Sequence, residues 1–325
     1  MGARDDRLDR DCYGVAMRIV AILAAATLSL VSLSARADTA RAWSAARAGL
    51  PADAKLVIGL DLAALKKTQL FTQLAPALLE RADATKAIDE IKTQCKLDPM
   101  AVVQGFVIAM TGDQQEGVAY IAIAGVDKAK LSSCLQRGIQ SHADKDAKVT
   151  IKHDGNVTQV TDGKDSMFLG WVGKDVVVVP LHTQERATLV KWMGGKGALA
   201  RTSVGKTLAK VNTSAALWGA GEGAKEFEPG IVIKGGYGAV AFAKGNVDAN
   251  VHATLENPGQ ATAMASSAQK QLDEFRQNPL IPSSIGALLK AITIAVAGDE
   301  VAIKANVIEK DLVAALDMVL GAVAP

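Results

Sequence analysis

The sequence predicts an α+β protein of two related lobes, each a mostly antiparallel sheet with helices packed on one face. Three observations support this fold class: short strands alternate with helices, the order of elements occurs twice, and several strands alternate between apolar and polar residues. In residues 247–255, Val247, Val251 and Leu255 belong to an apolar set separated by polar positions. Because successive side chains of a strand point to opposite faces, such a strand has one buried and one solvated face.

The two lobes are expected at residues 38–197 and 198–325. Each reads strand, helix, hairpin, helix, hairpin and helix, which indicates an internal duplication. Strands of the first lobe are expected at 55–61, 102–110, 117–124, 148–152, 157–161, 167–172 and 175–181. Strands of the second lobe are expected at 215–219, 237–243, 247–255, 292–297 and 301–307, with a glycine-containing loop between the first two. Helical spacing and capping residues predict helices at 39–48, 62–80, 82–95, 127–138, 183–194, 203–211, 257–276, 278–290 and 309–320.

Residues 1–37 have the pattern of a leader and signal peptide. Met17 and Arg18 precede an uncharged apolar run, Ile19–Leu33, and small residues lead up to Asp38. The run is shorter than the roughly 20 residues that span a bilayer. The pattern therefore predicts translation from Met17, cleavage between Ala37 and Asp38, and a periplasmic or secreted protein without a stable membrane span after processing. An uncleaved anchor is the alternative.

Two cysteines, Cys95 and Cys134, follow the leader. Cysteines of exported proteins pair in the oxidising compartment that they enter, so a Cys95–Cys134 disulfide is expected. Closing a loop of about 40 residues would stabilise the fold by about 4 kcal/mol through the entropy of the unfolded chain. Two buried, unpaired thiols are the alternative.

Charge and composition exclude some classes of partner. The chain carries 36 Lys and Arg against 34 Asp and Glu, scattered singly, and its net charge is +2. Nucleic-acid binding requires clustered cations, so it is not expected. Aromatic residues make up 4% of the chain. Aliphatic side chains must therefore form the core, which suits sheets covered by closely packed helices.

One motif suggests catalysis. Ser203 and Lys206 form an S-x-x-K pattern, in which the lysine of a penicillin-recognising serine enzyme lies one helical turn from the nucleophile. No S-D-N motif follows, and the alternative explanation is that Ser203 is the N-cap of a helix and Lys206 an exposed lysine. A serine hydrolase based on this pair is kept as an alternative function.

Neither a metal site nor a cofactor is expected. The densest group of ligand-type residues lies at 142–154 and lacks a recognised ligand spacing. Its members are His142, Asp144, Asp146, His153 and Asp154.

Polar residues alternate along two strands of the second lobe. Asp248, Asn250 and His252 lie on one strand, and Lys304 and Asn306 lie on another. If the strands are neighbours, these five side chains share a face that could bind a small ligand or a protein partner. An ordinary hydrated sheet face is the alternative.

Three segments carry a resemblance to a known group of proteins. They are Leu50–Asp61 (LPADAKLVIGLD), Cys95–Pro99 (CKLDP) and Val211–Trp218 (VNTSAALW). The chain resembles uncharacterised exported proteins of myxobacteria-like organisms, in which a P-A-D-A turn leads into the first strand after the signal peptide. The resemblance implies export but no activity, cofactor or site.

The sequence thus favours an exported, non-enzymatic binding or structural protein of the cell envelope. Its partner would be an unknown envelope protein or a small ligand. Two alternatives remain open: the S-x-x-K hydrolase, and a carrier of lipid or hydrophobic peptide that holds its ligand between helices and sheet.

Overall fold

Antiparallel pairing joins twelve strands into a single sheet in the computed structural model of the protein. The structure describes residues 39–323, except for 51, 82–83, 113–115, 143–147, 163–165, 182–184, 196 and 280. The expected cleavage site at Ala37–Asp38 lies outside the described residues, as do Asp144 and Asp146. The α+β class and the antiparallel sheet are confirmed.

The strands and helices are numbered here in chain order. The strands are β1 (Ala54–Asp61), β2 (Val103–Thr111), β3 (Glu116–Ile123), β4 (Thr150–Asp154), β5 (Val157–Thr161), β6 (Ser166–Val172), β7 (Val176–Leu181), β8 (Leu217–Glu228), β9 (Ile231–Ala243), β10 (Asn246–Leu255), β11 (Ile292–Ala297) and β12 (Glu300–Ile308). The helices are α1 (Thr39–Gly49), α2 (Leu62–Leu65), α3 (Gln69–Arg81), α4 (Ala84–Cys95), α5 (Pro99–Val102), α6 (Lys128–His142), α7 (Arg186–Met193), α8 (Ser203–Leu208), α9 (Pro258–Gln277), α10 (Ser283–Lys290) and α11 (Glu309–Val323).

Strands β1 and β8 join the two halves of the chain at the centre of the sheet. Outward from this junction, the first half runs β1-β2-β3-β7-β6-β5-β4 and the second runs β8-β9-β10-β12-β11. Apart from the additional β4–β5 hairpin, the two orders match strand for strand. The halves therefore share one continuous sheet, in an order that suits the predicted duplication, which stays a prediction.

The two faces of the sheet are distinguished by adjacent residues of β3. Ile121 packs in a core with Cys95 and Cys134, whereas Tyr120 packs in another core with Leu189 and Trp192 of α7. We call the side of Ile121 the disulfide face and the side of Tyr120 the histidine face, because His252 lies on the latter. Helices thus cover both faces in the first half, where the expectation was one face. The physical reason is that β3 is apolar at nearly every position and must be buried on both sides.

Helix α1 approaches the histidine face closely because its buried side chains are small. Ala42 and Ala46 are fully buried against the sheet. Trp43 of the same helix meets Trp218 of β8 edge to face, with 4.9 Å between ring centroids. Space for the Trp218 ring exists because β1 has Gly59 opposite it, where a Cβ would lie 2.1 Å from the indole. The centre of the sheet is therefore packed around these two tryptophans.

The prediction of a glycine-containing loop between residues 219 and 237 was wrong. Strands β8 and β9 extend through this segment and meet at a turn that contains Gly230. Glycine is scarce in strands in general, so the sequence pattern favoured a loop. Here the glycines lie where neighbouring strands come close: a Cβ at Gly235 or Gly238 would be within 2.8 Å of a backbone carbonyl oxygen.

Candidate binding surfaces on the second half of the sheet

The five polar residues singled out from the sequence share the histidine face of β10 and β12. In the register of the sheet, Asp248 lies opposite Asn306 and Asn250 lies opposite Lys304. The Asn306 side-chain amide donates a hydrogen bond to Asp248 Oδ1. His252, the fifth residue, lies opposite Ala302 at the inner end of this row. The structure therefore brings the five residues onto one surface.

His252 belongs to a cluster with three residues that the sequence analysis did not include. The rings of Tyr237 and His252 are stacked, with 4.3 Å between centroids and 6° between planes. The Tyr237 hydroxyl donates to Glu300 Oε2 at 3.1 Å, and Lys210 Nζ donates to Glu300 Oε1 at 2.7 Å. His252 Nδ1 lies 3.7 Å from Glu300 Oε2. One carboxylate thus accepts hydrogen bonds from a phenol and an ammonium, while the imidazole stacked on the phenol ring makes no hydrogen bond through its buried Nδ1 to any residue that the structure describes.

The cluster perturbs the titration of its members. The hydrogen bond from Lys210 is the main reason that the pKa of Glu300 lies below its ordinary value, and the Tyr237 hydroxyl acts in the same direction. The same bond raises the pKa of Lys210. Burial, with the bond to Glu300, raises the pKa of Tyr237. These shifts favour an ionised Glu300–Lys210 pair at neutral pH.

A sequence signal for part of this cluster existed. Lys244 and Gly245 both have positive φ, as in a two-residue hairpin turn, and this turn fixes the register that sets Tyr237 opposite His252. The expected strands 237–243 and 247–255 leave three residues between them, whereas a two-residue turn would have placed Tyr237 opposite His252 on the polar face. Lys210 follows α8, whereas Glu300 lies in β12, far along the chain. No pattern in the sequence indicates that these two residues meet.

The disulfide face of the same strands is apolar and partly exposed to solvent. Leu56, Leu217, Val251 and Ile303 are all exposed there, to between 36% and 47%. Val251 lies opposite Ile303 on one side and opposite Gly238 on the other. We call these four residues, together with Gly219, Gly221, Gly236 and Gly238, the apolar strip.

Four glycines form the floor of the apolar strip. Gly219 lies opposite Gly238, and Gly221 lies opposite Gly236. The nearest neighbours of a Cβ placed at any of the four belong to adjacent strands. The strip crosses five strands from β12 to β1, so its length is about 19 Å at the usual spacing between strands.

Helices border the apolar strip at its sides. Helix α9 packs Ala261 and Ala265 against Leu255 and Val301, at one end of β10 and β12. Beyond the other end, α11 packs against α3 from the first half of the chain. Helix α9 and the α3–α11 pair thus lie at opposite ends of the strands that carry the strip.

The predicted disulfide is present. Cys95, at the end of α4, is bonded to Cys134 in α6, and the two Cα atoms are 4.7 Å apart. Both cysteines are buried in the core under the disulfide face, with Ile121 and Leu97. The bond ties together two helices that cover the first half of the sheet.

Ser203 and Lys206 lie in the six-residue helix α8, and both are exposed. Thr202, and not Ser203, is the N-cap: its side chain accepts a hydrogen bond from the Gly205 N–H at 2.9 Å. Near Ser203, Glu222 pairs with Lys55; this bond is the main reason that the pKa of Glu222 lies below its ordinary value, and Ser203 acts in the same direction. The buried residues of the helix are Val204 and Leu208, so the S-x-x-K pair lies on its outer side.

Comparisons with known proteins yield structural matches alone. No protein-family model and no curated protein matches the chain. Three crystal forms of TP0453 match 83% of the chain at low identity. Form III is 10% identical over 97% of that chain with a TM-score of 0.48, form I is 8% identical over 96% with 0.47, and form IV is 10% identical over 95% with 0.48. Within the described part of the chain, no helix has the length and hydropathy to cross a membrane.

Proposed function

We propose that this is an exported, non-enzymatic binding protein of the cell envelope, and that the apolar strip binds a ligand with an extended hydrocarbon chain. The observation that supports this proposal most is the exposure of Val251, Ile303, Leu217 and Leu56 on one continuous face. Contiguous exposed apolar surface on a soluble domain is typical of binding sites. This is the carrier function that the sequence left open as an alternative.

The length of the apolar strip suits a chain-like ligand. The glycines carry no side chain between the exposed apolar residues, and a length of about 19 Å accommodates an extended acyl chain. Contact with Val251 and Ile303 would remove apolar surface from water on both partners, at about 25 cal/mol per Å².

The histidine face supports a ligand less well. Asp248 and Asn306 are hydrogen-bonded to each other, and His252 is stacked on Tyr237. The polar groups of Asp248 and Asn306 are therefore partly satisfied within the protein, whereas His252 Nδ1 is buried without a hydrogen-bond partner among the described residues. A small ligand or protein partner at Asp248, Asn250, His252, Lys304 and Asn306 stays a hypothesis.

Export is supported by one feature of the structure and by two features of the sequence. The Cys95–Cys134 disulfide is a bond that persists in oxidising compartments. The leader pattern at residues 1–37 and the resemblance to exported proteins of myxobacteria-like organisms point in the same direction. We therefore propose a periplasmic or secreted location.

The test is binding of a fluorescent C16 fatty acid to the purified protein, with native mass spectrometry of the same sample for co-purified lipid. Val251→Lys places a charge in the apolar strip, whereas Val190→Lys makes the same change at a residue of α7 with similar exposure, 42%. We expect V251K to bind the fatty acid at least tenfold more weakly than the wild type and V190K to bind normally, because a buried ammonium without a partner is strongly unfavourable.

Equal affinity of both variants would contradict a site at the strip. So would the absence of binding and of co-purified lipid in the wild type. Circular dichroism and melting curves of V251K and V190K verify that each variant folds.

A further inference from the structure

The two edge strands of the sheet differ in the charged side chains that would oppose pairing with another chain. Strand β4, at one edge, includes Lys152 and Asp154, and Arg186 of α7 forms an ion pair with Asp154. Charged side chains are the usual means by which an edge strand avoids pairing with other chains. Strand β11, at the other edge, has the sequence ITIAVA without a charge, a proline or a register shift against β12. One edge is therefore protected and the other is not.

The direction of the backbone groups of β11 follows from its neighbours. The Leu255 N–H donates to the Asp299 carbonyl, so the odd-numbered residues of β12 pair by hydrogen bonds with β10. Backbone groups alternate along a strand, so the even-numbered residues of β12 bond to Thr293, Ala295 and Ala297 of β11. The N–H and C=O groups of Ile294 and Val296 then point away from the sheet.

A second contact agrees with this assignment. The Arg276 guanidinium, from the end of α9, donates to the Ile292 carbonyl at 2.8 Å from outside the sheet. Ile292, Ile294 and Val296 are alternate residues of one strand, so their carbonyls all point away from the sheet. Beside this edge is a groove of about 700 Å³, lined by Ile294, Val296 and the polar side of α9. The groove gives room for the side chains of an additional strand.

We propose that the protein forms a dimer in which β11 of one copy pairs antiparallel with β11 of a second copy. Pairing through the outward groups sets Ile294 opposite Val296 of the second copy, and Ala295 opposite Ala295 of the second copy on the two-fold axis. Because residues of equal parity meet, the disulfide faces of both copies lie on the same side. Each copy has one unprotected edge, and the dimer uses both, so the assembly closes and does not extend into a fibre.

A second copy is the favoured occupant for this reason of symmetry. The segment is complementary to itself, since the apolar side chains of Ile294 and Val296 meet each other on one face and alanines meet on the opposite face. An uncharged strand of this type pairs readily with an identical strand. This proposal is independent of the function proposed above, because β11 lies at the edge and the ligand would lie on the face.

Cysteine cross-linking tests the register. In a Cys12→Ser background, Ala295→Cys places two thiols in a non-hydrogen-bonded pair with Cα atoms about 4.5 Å apart across the axis. Thr293→Cys is the matched control: it is exposed on the same face, but its two thiols would be about 13 Å apart along the strands. With oxidised glutathione as the oxidant, we expect A295C to form a covalent dimer on a non-reducing gel and T293C to stay monomeric.

Sedimentation velocity gives a second readout without a cysteine. We expect a dimer for the wild type and for Val190→Lys, and a monomer with the wild-type circular dichroism spectrum for Val296→Lys, because a lysine on the strand would oppose pairing. A monomeric wild type at 100 µM would overturn the proposal, as would equal cross-linking of A295C and T293C or a dimer of V296K as tight as that of V190K.

Discussion

Leu70 and Glu309 connect the two halves of the chain. The backbone N–H of Leu70, in the first turn of α3, donates to Glu309 Oε1 at 2.8 Å. Glu309 is itself the first residue of α11, and it is 7% exposed. Its carboxylate therefore serves the N-terminal turns of two helices, whose unpaired N–H groups and dipoles favour a negative charge.

We expect Glu309→Ala to lower the free energy of unfolding by about 1–2 kcal/mol, the usual loss for a helix cap. Asp311→Ala, in the first turn of the same helix, is the control and should cost a few tenths of a kcal/mol at most, since it removes a charge without the bond to Leu70. Urea unfolding followed by circular dichroism measures both. Equal losses would show that the bond between the helices contributes nothing.

The Glu300 cluster predicts a pH dependence of stability in acid. Lys210 is the main reason that the pKa of Glu300 in the folded state lies below its ordinary value of 4.5. The contribution of ionised Glu300 to folding stability is therefore complete above pH 4.5, and it is lost as the pH falls through the folded-state pKa. We expect Glu300→Gln to cost about 0.5–1 kcal/mol at pH 7, the usual range for an exposed pair, and to cost less at pH 3.

Tyr237→Phe distinguishes the hydrogen bond from the ring stack in this cluster. It removes the hydroxyl that bonds Glu300 and keeps the aromatic ring over His252. We expect a loss of about 0.5–1.5 kcal/mol at pH 7, the net value of one hydrogen bond. If Y237F left the urea midpoint at pH 7 unchanged while E300Q lowered it, the hydroxyl would have no part in the cluster's stability.

Packing around Trp218 predicts that Gly59 cannot accept a side chain. A Cβ at Gly59 would lie 2.1 Å from the Trp218 ring, whereas a Cβ at Gly286 of α10 would have no heavy atom within 4 Å. We expect Gly59→Ala to destabilise the protein by about 1–3 kcal/mol or more through overpacking. Gly286→Ala should be neutral or stabilising by about 0.4–1 kcal/mol, because alanine favours the helix. Thermal unfolding compares the two, and similar midpoints would refute the packing described for Trp218.

The disulfide predicts sensitivity to reductant. Reduction of Cys95–Cys134 should lower the stability by up to about 4 kcal/mol, the chain-entropy value for a loop of this size. A Cys95→Ser, Cys134→Ser double variant should melt at the reduced wild-type temperature, and reductant should leave its melting curve unaltered. A wild-type melting curve that is identical with and without reductant would mean that the bond does not contribute.

The S-x-x-K hypothesis is tested by covalent labelling. A fluorophosphonate or fluorescent β-lactam reacts with an activated serine, and Ser203 lies exposed on the outside of the six-residue helix α8. We expect no labelling of the wild type. Labelling that disappears in Ser203→Ala would establish the hydrolase alternative instead.

Local patterns in the sequence were sufficient for much of the fold. Alternation in 247–255 and 301–307 correctly placed Asp248 and Asn306 on one polar face, because the period of a strand is fixed by its geometry. The turn at Gly298 was equally predictable, since its positive φ suits glycine. The cysteine count and the predicted compartment were enough to pair Cys95 with Cys134.

Contacts between distant elements were not predictable in this way. That β1 lies beside β8, and thereby unites both lobes in one sheet, depends on pairing between residues such as Leu56 and Gly221 that share no local pattern. The approach of Lys210 to Glu300 likewise depends on where α8 packs. The apolar strip was missed because its residues alternate like any buried strand, and the sequence does not show which buried face lacks a covering helix.

The central pairing of β1 with β8 has a consequence for the order in which the chain folds. During synthesis β1 emerges early, whereas its partner emerges after all of β2–β7, and closing so large a loop is entropically costly. The meander of β8, β9 and β10, joined by short turns, can form locally and quickly. Completion of the sheet therefore waits for the last third of the chain, and until then the outer edge of β1 is open to a wrong partner, which makes this interval the time at which a chaperone would be needed most.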